Sequence, residues 1–196
     1  MAKKTMGFII VSVGVIALGY GIWKTTFRNA YESAEYSVVA KDNDIEIRNY
    51  PDLKVVSTHS SDDGGFGRLF RYISGSNEGN QTIAMTTPVF MLKTPVDPQG
   101  SMSFVIPTEA SNQAVPQPLN SQVEIGNRPG GLYAVIRYSG RDSEKVRFNK
   151  AAVLKSWIEN NDFSETGVTE FAGYDPPWTP GLFRRNEILI RIEHQQ

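Results

Sequence analysis

The sequence predicts an α+β fold: a distorted β-barrel, or a split sandwich, made from two pseudo-symmetric ββαββ repeats, preceded by an N-terminal transmembrane helix. Three observations carry this. The stretch IEIRNYP at residues 45–51 returns 78 residues later as VEIGNRP at 123–129, with Glu, Ile, Asn and Pro on the same offset. Each copy is followed by an alternating apolar run, LKVVST (53–58) and LYAVIRY (132–138), then by a polar turn and a helical pattern. Two copies of this length suit a closed pseudo-symmetric domain, because a solenoid needs about three repeats or more. The third observation is an apolar run of 18 residues, Met6 to Trp23, flanked by Lys3 and Lys4 and by Lys24 and Arg28.

At 1.5 Å per residue that run spans ~27 Å and can just cross a bilayer. Residues 1–29 are therefore expected to be a membrane anchor. A cleaved signal peptide is the alternative, favoured by small residues near Ala17, Gly19 and Gly21 but lacking a clean cleavage motif. The flanking lysines point the amino terminus to the cytoplasm, which makes the protein single-pass with residues 30–196 as an extracytoplasmic domain. Signal cleavage would instead leave it secreted or periplasmic.

Along the domain, EYSVVAKDNDIEIRNY alternates with period two around a turn at Lys41–Asp44, the pattern of a β-hairpin. Asp62 and Asp63 then precede Phe66, Leu69, Phe70 and Ile73, spaced as one face of a helix that Gly75 ends. Strands are expected at Thr82–Leu92 and Met102–Ile106, followed by a Pro- and Asn-rich loop, Pro107–Ser121. In the second copy Ser143 caps a helix reaching Glu159, with Phe148, Ala151, Leu154 and Ile158 inward and Lys145, Arg147, Lys150 and Lys155 mostly outward, a solvated face. Strands at Thr166–Tyr174 and Glu187–Ile192 flank the loop DPPWTPG.

Composition excludes several functions. There is no cysteine, so disulfides, a thiol nucleophile and Cys-ligated metals are ruled out. All 21 acidic residues but only 16 of the 20 basic ones lie beyond residue 29, a net charge of −5 for the domain. No nucleic-acid partner is expected, since a phosphate backbone needs concentrated Lys and Arg. The chain has two histidines. His194 lies near the carboxy terminus; His59 stands where a strand hands over to the first helix, beside Asp62 and Asp63, and is the one candidate metal or haem ligand against the plainer reading of a turn residue. The run GGFG (64–67) opens a helix without the lysine and spacing of a phosphate loop. Aromatic residues interleaved with arginine recur at Phe66, Arg68, Phe70, Arg71 and Tyr72 and around Tyr174, Trp178, Phe183 and Arg184. If the copies pack symmetrically, these would form an apolar groove with cationic rims, suited to a flat molecule carrying carboxylates.

The stretches EYSVVAKDNDIEIRNYPDLKVVST, GFGRLFRYISG, IAMTTPVFM and AGYDPPWTPGLFRRNEILI, in that order between about Glu35 and Ile192, resemble the SOUL haem-binding protein family. The resemblance implies a barrel of two repeats and non-covalent binding of haem or free porphyrin in a shallow groove flanked by the first helix and the late loop. Carried over residue by residue, that groove would use Phe66, Arg68, Leu69, Arg71, Tyr72, Met85, Tyr174, Trp178 and Arg184. Some members use a histidine in a segment like EIRHY; this chain reads EIRNY, with Asn49 at that place, and an amide is a poor iron ligand. His59 or a methionine such as Met85 would have to stand in. The resemblance implies a carrier, buffer or sensor of tetrapyrroles rather than an enzyme, and the apolar run adds the expected membrane anchor. A sensor or interaction domain for another small molecule is one alternative. A hydrolase or tetrapyrrole-modifying enzyme is another, which would need Glu46, Glu124 or the Asp62–Asp63 pair as its titratable group.

Overall fold

The alternating runs of the sequence become strands that bury apolar residues on both faces of the sheet. In the computed structural model, which describes residues 31–176 and 179–195, nine strands form one antiparallel sheet. They are β1 (Ser37–Asp42), β2 (Ile45–Tyr50), β3 (Leu53–Thr58), β4 (Val89–Thr94), β5 (Asp97–Val105), β6 (Glu124–Arg128), β7 (Gly131–Ser139), β8 (Phe163–Gly173) and β9 (Arg185–His194). Three helices accompany them: α1 (Asp63–Ile73), the single turn α2 (Thr108–Ser111) and α3 (Glu144–Glu159). The anchor expected over residues 1–29 lies outside the described residues. Among those described, no helix is long and apolar enough to cross a membrane.

The strand order is β1-β2-β7-β9-β8-β4-β5-β3-β6. Without β1 it is symmetric about the β8–β4 pair: the second strand of each copy pairs with the first strand of the other, and with its own last strand. Residue pairs obey the same shift, since Glu46 faces Val135 and, 78 residues on, Glu124 faces Ser57. Where the copies cross, the Gly130 amide donates to the Asp52 carboxylate at 2.7 Å. A Cβ on Gly130 would stand 2.5 Å from the Tyr50 carbonyl oxygen, so this crossing requires glycine.

The expected barrel is not closed. Exchanging strands between the copies lays the sheet out in a line whose edges, β1 and β6, do not pair with each other. β1 extends the β2 edge through a turn in which Asn43 takes φ +52°, a left-handed conformation that asparagine tolerates.

Helices α1 and α3 lie on one face of the sheet. α1 begins at Asp62, whose carboxylate accepts the Gly65 amide at 2.9 Å, and it buries Leu69, Tyr72 and Ile73 with Val56, Met102 and Phe104. α3 begins at Ser143 and buries Leu154 and Ile158 with Ile45, Ile47, Ala134, Ile136, Ile188 and Ile190. Alternation sends Tyr50, Leu53, Val55, Phe90, Val105, Tyr133, Val135 and Leu189 to the opposite face as a third cluster. Two residues expected inward point out. Phe70 is half-exposed and stacked on Phe66, because Tyr72 takes the inward position, and Phe148 is 75% exposed, because the helix axis turns Val146 and Trp157 toward the sheet instead. The strand expected from Thr82 is extended only from Thr86. Before it, Asn77 holds a turn by bonding Tyr72 O, Gln81 O and the Gln81 amide.

Candidate ligand cleft

On the helix-free face, side chains of β3, β4, β5, β6 and β8 surround a cleft of about 810 Å³. Its floor is Val55 and Ser57, Phe90 and Leu92, Ser101 and Ser103, and Gly126; its mouth carries Thr58, His59, Gln99 and Gln122, with Arg68 reaching over from α1. The Arg68 Nε donates to Thr58 Oγ1 at 3.2 Å, and that hydroxyl donates to the Gln122 carbonyl at 2.7 Å, which ties the helix and the loop before β6 to one rim. Gly126 makes the room: a Cβ built there meets nothing within 4 Å.

Arg128 closes the inner end. Its guanidinium lies 4.2 Å from the ring centres of Phe90 and Tyr133 and 4.9 Å from that of Tyr50, and only 6% of the residue is exposed. Nε donates to Glu170 Oε2 at 2.9 Å, and Nη2 lies 2.8 Å from the same oxygen as an ion pair. Among the described residues Nη1 has no partner at all, and Nη2 has the Glu170 ion pair without a well-aligned hydrogen bond. A buried donor left without an acceptor costs about 1–3 kcal/mol. The three rings offset part of this through their electron-rich faces. Burial raises the Glu170 carboxyl above the usual carboxylate range, and the charge of Arg128 only partly opposes it.

The other end of the same face is filled. Arg48 grips Glu187 with two hydrogen bonds at 2.8 and 3.0 Å and gives Nε to Glu46 at 2.8 Å. Glu187 also accepts from the Tyr174 hydroxyl at 2.7 Å and from Arg185 at 2.7 and 2.9 Å. Burial alone would raise the Glu187 carboxyl, but the bonds from Arg48 and the charge of Arg185 outweigh it and hold it below the ordinary range. Burial pushes the neighbouring Tyr50 phenol up to about 12.

The residues expected around a helix-and-loop groove are dispersed. Leu69 and Tyr72 are core, with the Tyr72 hydroxyl on the Pro116 carbonyl, and Met85 and Phe66 pack against the same cluster. Arg68 and Arg71 line a depression of about 190 Å³ with Leu119 and Val123, on the other side of the rim. Tyr174 is buried against Glu187, Arg184 donates to the Thr179 carbonyl, and Trp178 lies outside the described residues. Asn49 is exposed on β2, in a shallow groove with Tyr36 and Tyr50. His59 lines the cleft mouth with its Nε2 3.6 Å from Asp97, whereas His194 packs on Phe163. No cluster of three metal-ligating side chains occurs among the described residues. Asp62 serves as helix cap, its carboxyl lowered by the Ser60 hydroxyl and the Gly65 amide. Arg128, Gly126 and Glu170 escaped the sequence reading; the signal available was the mismatch between copies, Arg48 against Gly126 and Tyr50 against Arg128 within the repeated segment.

The family model for SOUL heme-binding protein matches residues 31–191. The chain belongs to the SOUL family. Among its SOUL relatives, Heme-binding protein 1 of Xenopus laevis is 26% identical over 185 residues, covering 86% of this chain and 96% of that protein. Heme-binding protein 2 of Homo sapiens is 32% identical over 158 residues, 74% of this chain and 76% of that one. The SOUL domain also shares its fold with the EcmrR C-terminal domain (TM-score 0.55, 14% identity, 81% of this chain and 98% of that one). An uncharacterized conserved protein from Listeria innocua is likewise similar in fold (TM-score 0.58, 10% identity, 79% and 94%).

Proposed function

We propose that this chain binds haem or another tetrapyrrole non-covalently in the cleft, as a carrier, buffer or sensor rather than a catalyst. The observation that carries the reading is the cleft itself, found in a chain whose relatives are named for heme binding. Its volume lies within the ~300–1,000 Å³ common for small-molecule sites. Of its lining, Val55, Phe90 and Leu92 offer apolar surface, Arg68 and Arg128 offer cations for acidic substituents, and His59 is the iron-ligating type at its mouth, while Glu124 and Glu170 also line it. Haem would supply an iron centre and a flat chromophore. The chain would supply orientation and shielding from water. With Asn49 on the outer surface of β2, affinity would rest mainly on buried area, which at ~25 cal/mol per Å² gives several kcal/mol before association costs are subtracted.

A binder is favoured over a hydrolase because, of the two carboxylates lining the cleft, Glu170 is engaged by Arg128 and so is poorly placed to act as a free base, and Glu124 stands exposed to water on β6. The lysine-flanked apolar run supports anchoring of residues 1–29 in a membrane, which mass analysis of the mature amino terminus in the membrane fraction tests. Binding is tested by titrating haem and protoporphyrin IX side by side into wild type and His59→Ala, read by the Soret band and by tryptophan quenching. Both ligands should bind with affinities within about tenfold of each other, as expected where area dominates. A haem advantage above tenfold that His59→Ala erases would establish an axial histidine. Absence of any spectral change or quenching with both ligands would sink the tetrapyrrole reading.

A further inference from the structure

We propose that Arg128 receives a carboxylate of the ligand at the inner end of the cleft, so that the site selects acids and a tetrapyrrole enters with a propionate leading. This rests on the cleft being the ligand's seat. Two ways of burying an arginine stand on the same face of the sheet. Arg48 bonds carboxylates through Nε, Nη1 and Nη2, as a purely structural guanidinium does. Arg128 spends Nε, and the Nη2 ion pair, on one oxygen of Glu170 and leaves Nη1 without any acceptor among the described residues, although it is 94% buried. The rings of Phe90, Tyr133 and Tyr50 surround the guanidinium, so the side chain is not free to swing out to water for its missing partners.

The space beside it is kept open by Gly126, two residues earlier on β6 and therefore on the same face. A planar guanidinium offers parallel N–H groups that match a carboxylate in two-point contact. The hydroxyls of Ser57, Ser101 and Ser103 line the approach and can donate to the same anion.

The test titrates the full-length protein with protoporphyrin IX and its dimethyl ester, followed by porphyrin fluorescence, comparing wild type with Arg128→Met and Gly126→Leu. Wild type should prefer the diacid by on the order of tenfold, the usual worth of one charge-assisted contact. In Arg128→Met the ratio of diacid to diester affinity should fall to about one. A wild type indifferent to esterification, or a preference that survives in Arg128→Met, overturns the proposal. Gly126→Leu keeps the Arg128–Glu170 pair and fills the space, so it carries the test should Arg128→Met not fold. It should lose both porphyrins, and wild-type binding of the diacid by this variant also overturns the proposal. If neither porphyrin binds wild type, the tetrapyrrole reading fails and 1-naphthoate against 1-naphthamide decides the acid preference alone. An acid preference that Arg128→Met abolishes keeps the inference; none refutes it.

Discussion

The two ends of the helix-free face are built on equivalent strands and end in opposite states. At the β2–β7–β9 end, Arg48, Glu187, Arg185 and Tyr174 knit into a buried network in which every carboxylate oxygen of Glu187 is bonded. At the β6–β3–β5 end the 78-residue shift puts Gly126 in the place of Arg48. Since Val135 faces Leu189 as Ser57 faces Ser103, stepping two residues back along each last strand puts Ser101 in the place of Glu187. Removing one ion pair from a duplicated scaffold leaves a cleft. The difference teaches that a repeat can specify a site through what one copy omits, with the other copy holding the sheet together.

The largest effect should come from breaking the filled end. Arg48→Ala strands Glu187 in the interior and should cost about 3–5 kcal/mol in urea unfolding, as removal of one member of a buried pair does. A cost below 1 kcal/mol would mean that Arg185 alone satisfies the carboxylate. Next come the helices that cover the two ends. Leu154→Ala in α3 and Leu69→Ala in α1, both fully buried, should each cost about 2–5 kcal/mol. Phe70→Ala, at 50% exposure, should cost less than about 1 kcal/mol. Equal losses at Leu69 and Phe70 would contradict the observed helix rotation.

A transplant sharpens the comparison further. Gly126→Arg combined with Ser101→Glu copies the filled end's pair into the open one and should weaken porphyrin binding by at least about tenfold, or ~1.4 kcal/mol. A double variant that binds porphyrin as wild type does would remove the cleft from consideration.

Local features of this architecture were readable in the sequence, and non-local ones were not. The Asp62 and Ser143 caps and the extent of α3 follow from a few adjacent residues. The duplicated segment predicted equivalent strands, but not that β2 would pair with β7 and β3 with β6, because a register across 78 residues leaves no mark on either strand alone. Closure into a barrel was inferred from symmetry, whereas β1 and β6 end the sheet as open edges. Spacing placed Phe70 and Phe148 inward, since a broad apolar stripe does not say where the helix centres it. Adjacent residues do not mark Arg128, because its isolation depends on Phe90 and Tyr133, which arrive from other strands.

The smallest expected effect is in pH dependence, where the two ends should slope in opposite directions. Glu187 has its carboxyl held below the ordinary range once folded, so its contribution to stability is fully present above pH ~4.3 and is lost as pH falls through that value toward the lower folded one. Glu170 has its carboxyl raised, so the folded protein takes up that proton first. Its ionised form opposes folding at neutral pH, and stability is regained as pH falls from the raised value to about 4.3. One proton changes stability by at most about 1.4 kcal/mol per pH unit. Melting temperatures from pH 7 to 3 at constant ionic strength should therefore show Glu170→Gln losing a gain on the upper limb and Glu187→Gln losing a fall on the lower limb. Slopes that change in the same direction in both variants would mean that the two carboxylates share one environment, and the contrast between filled and open ends would not extend to their charges.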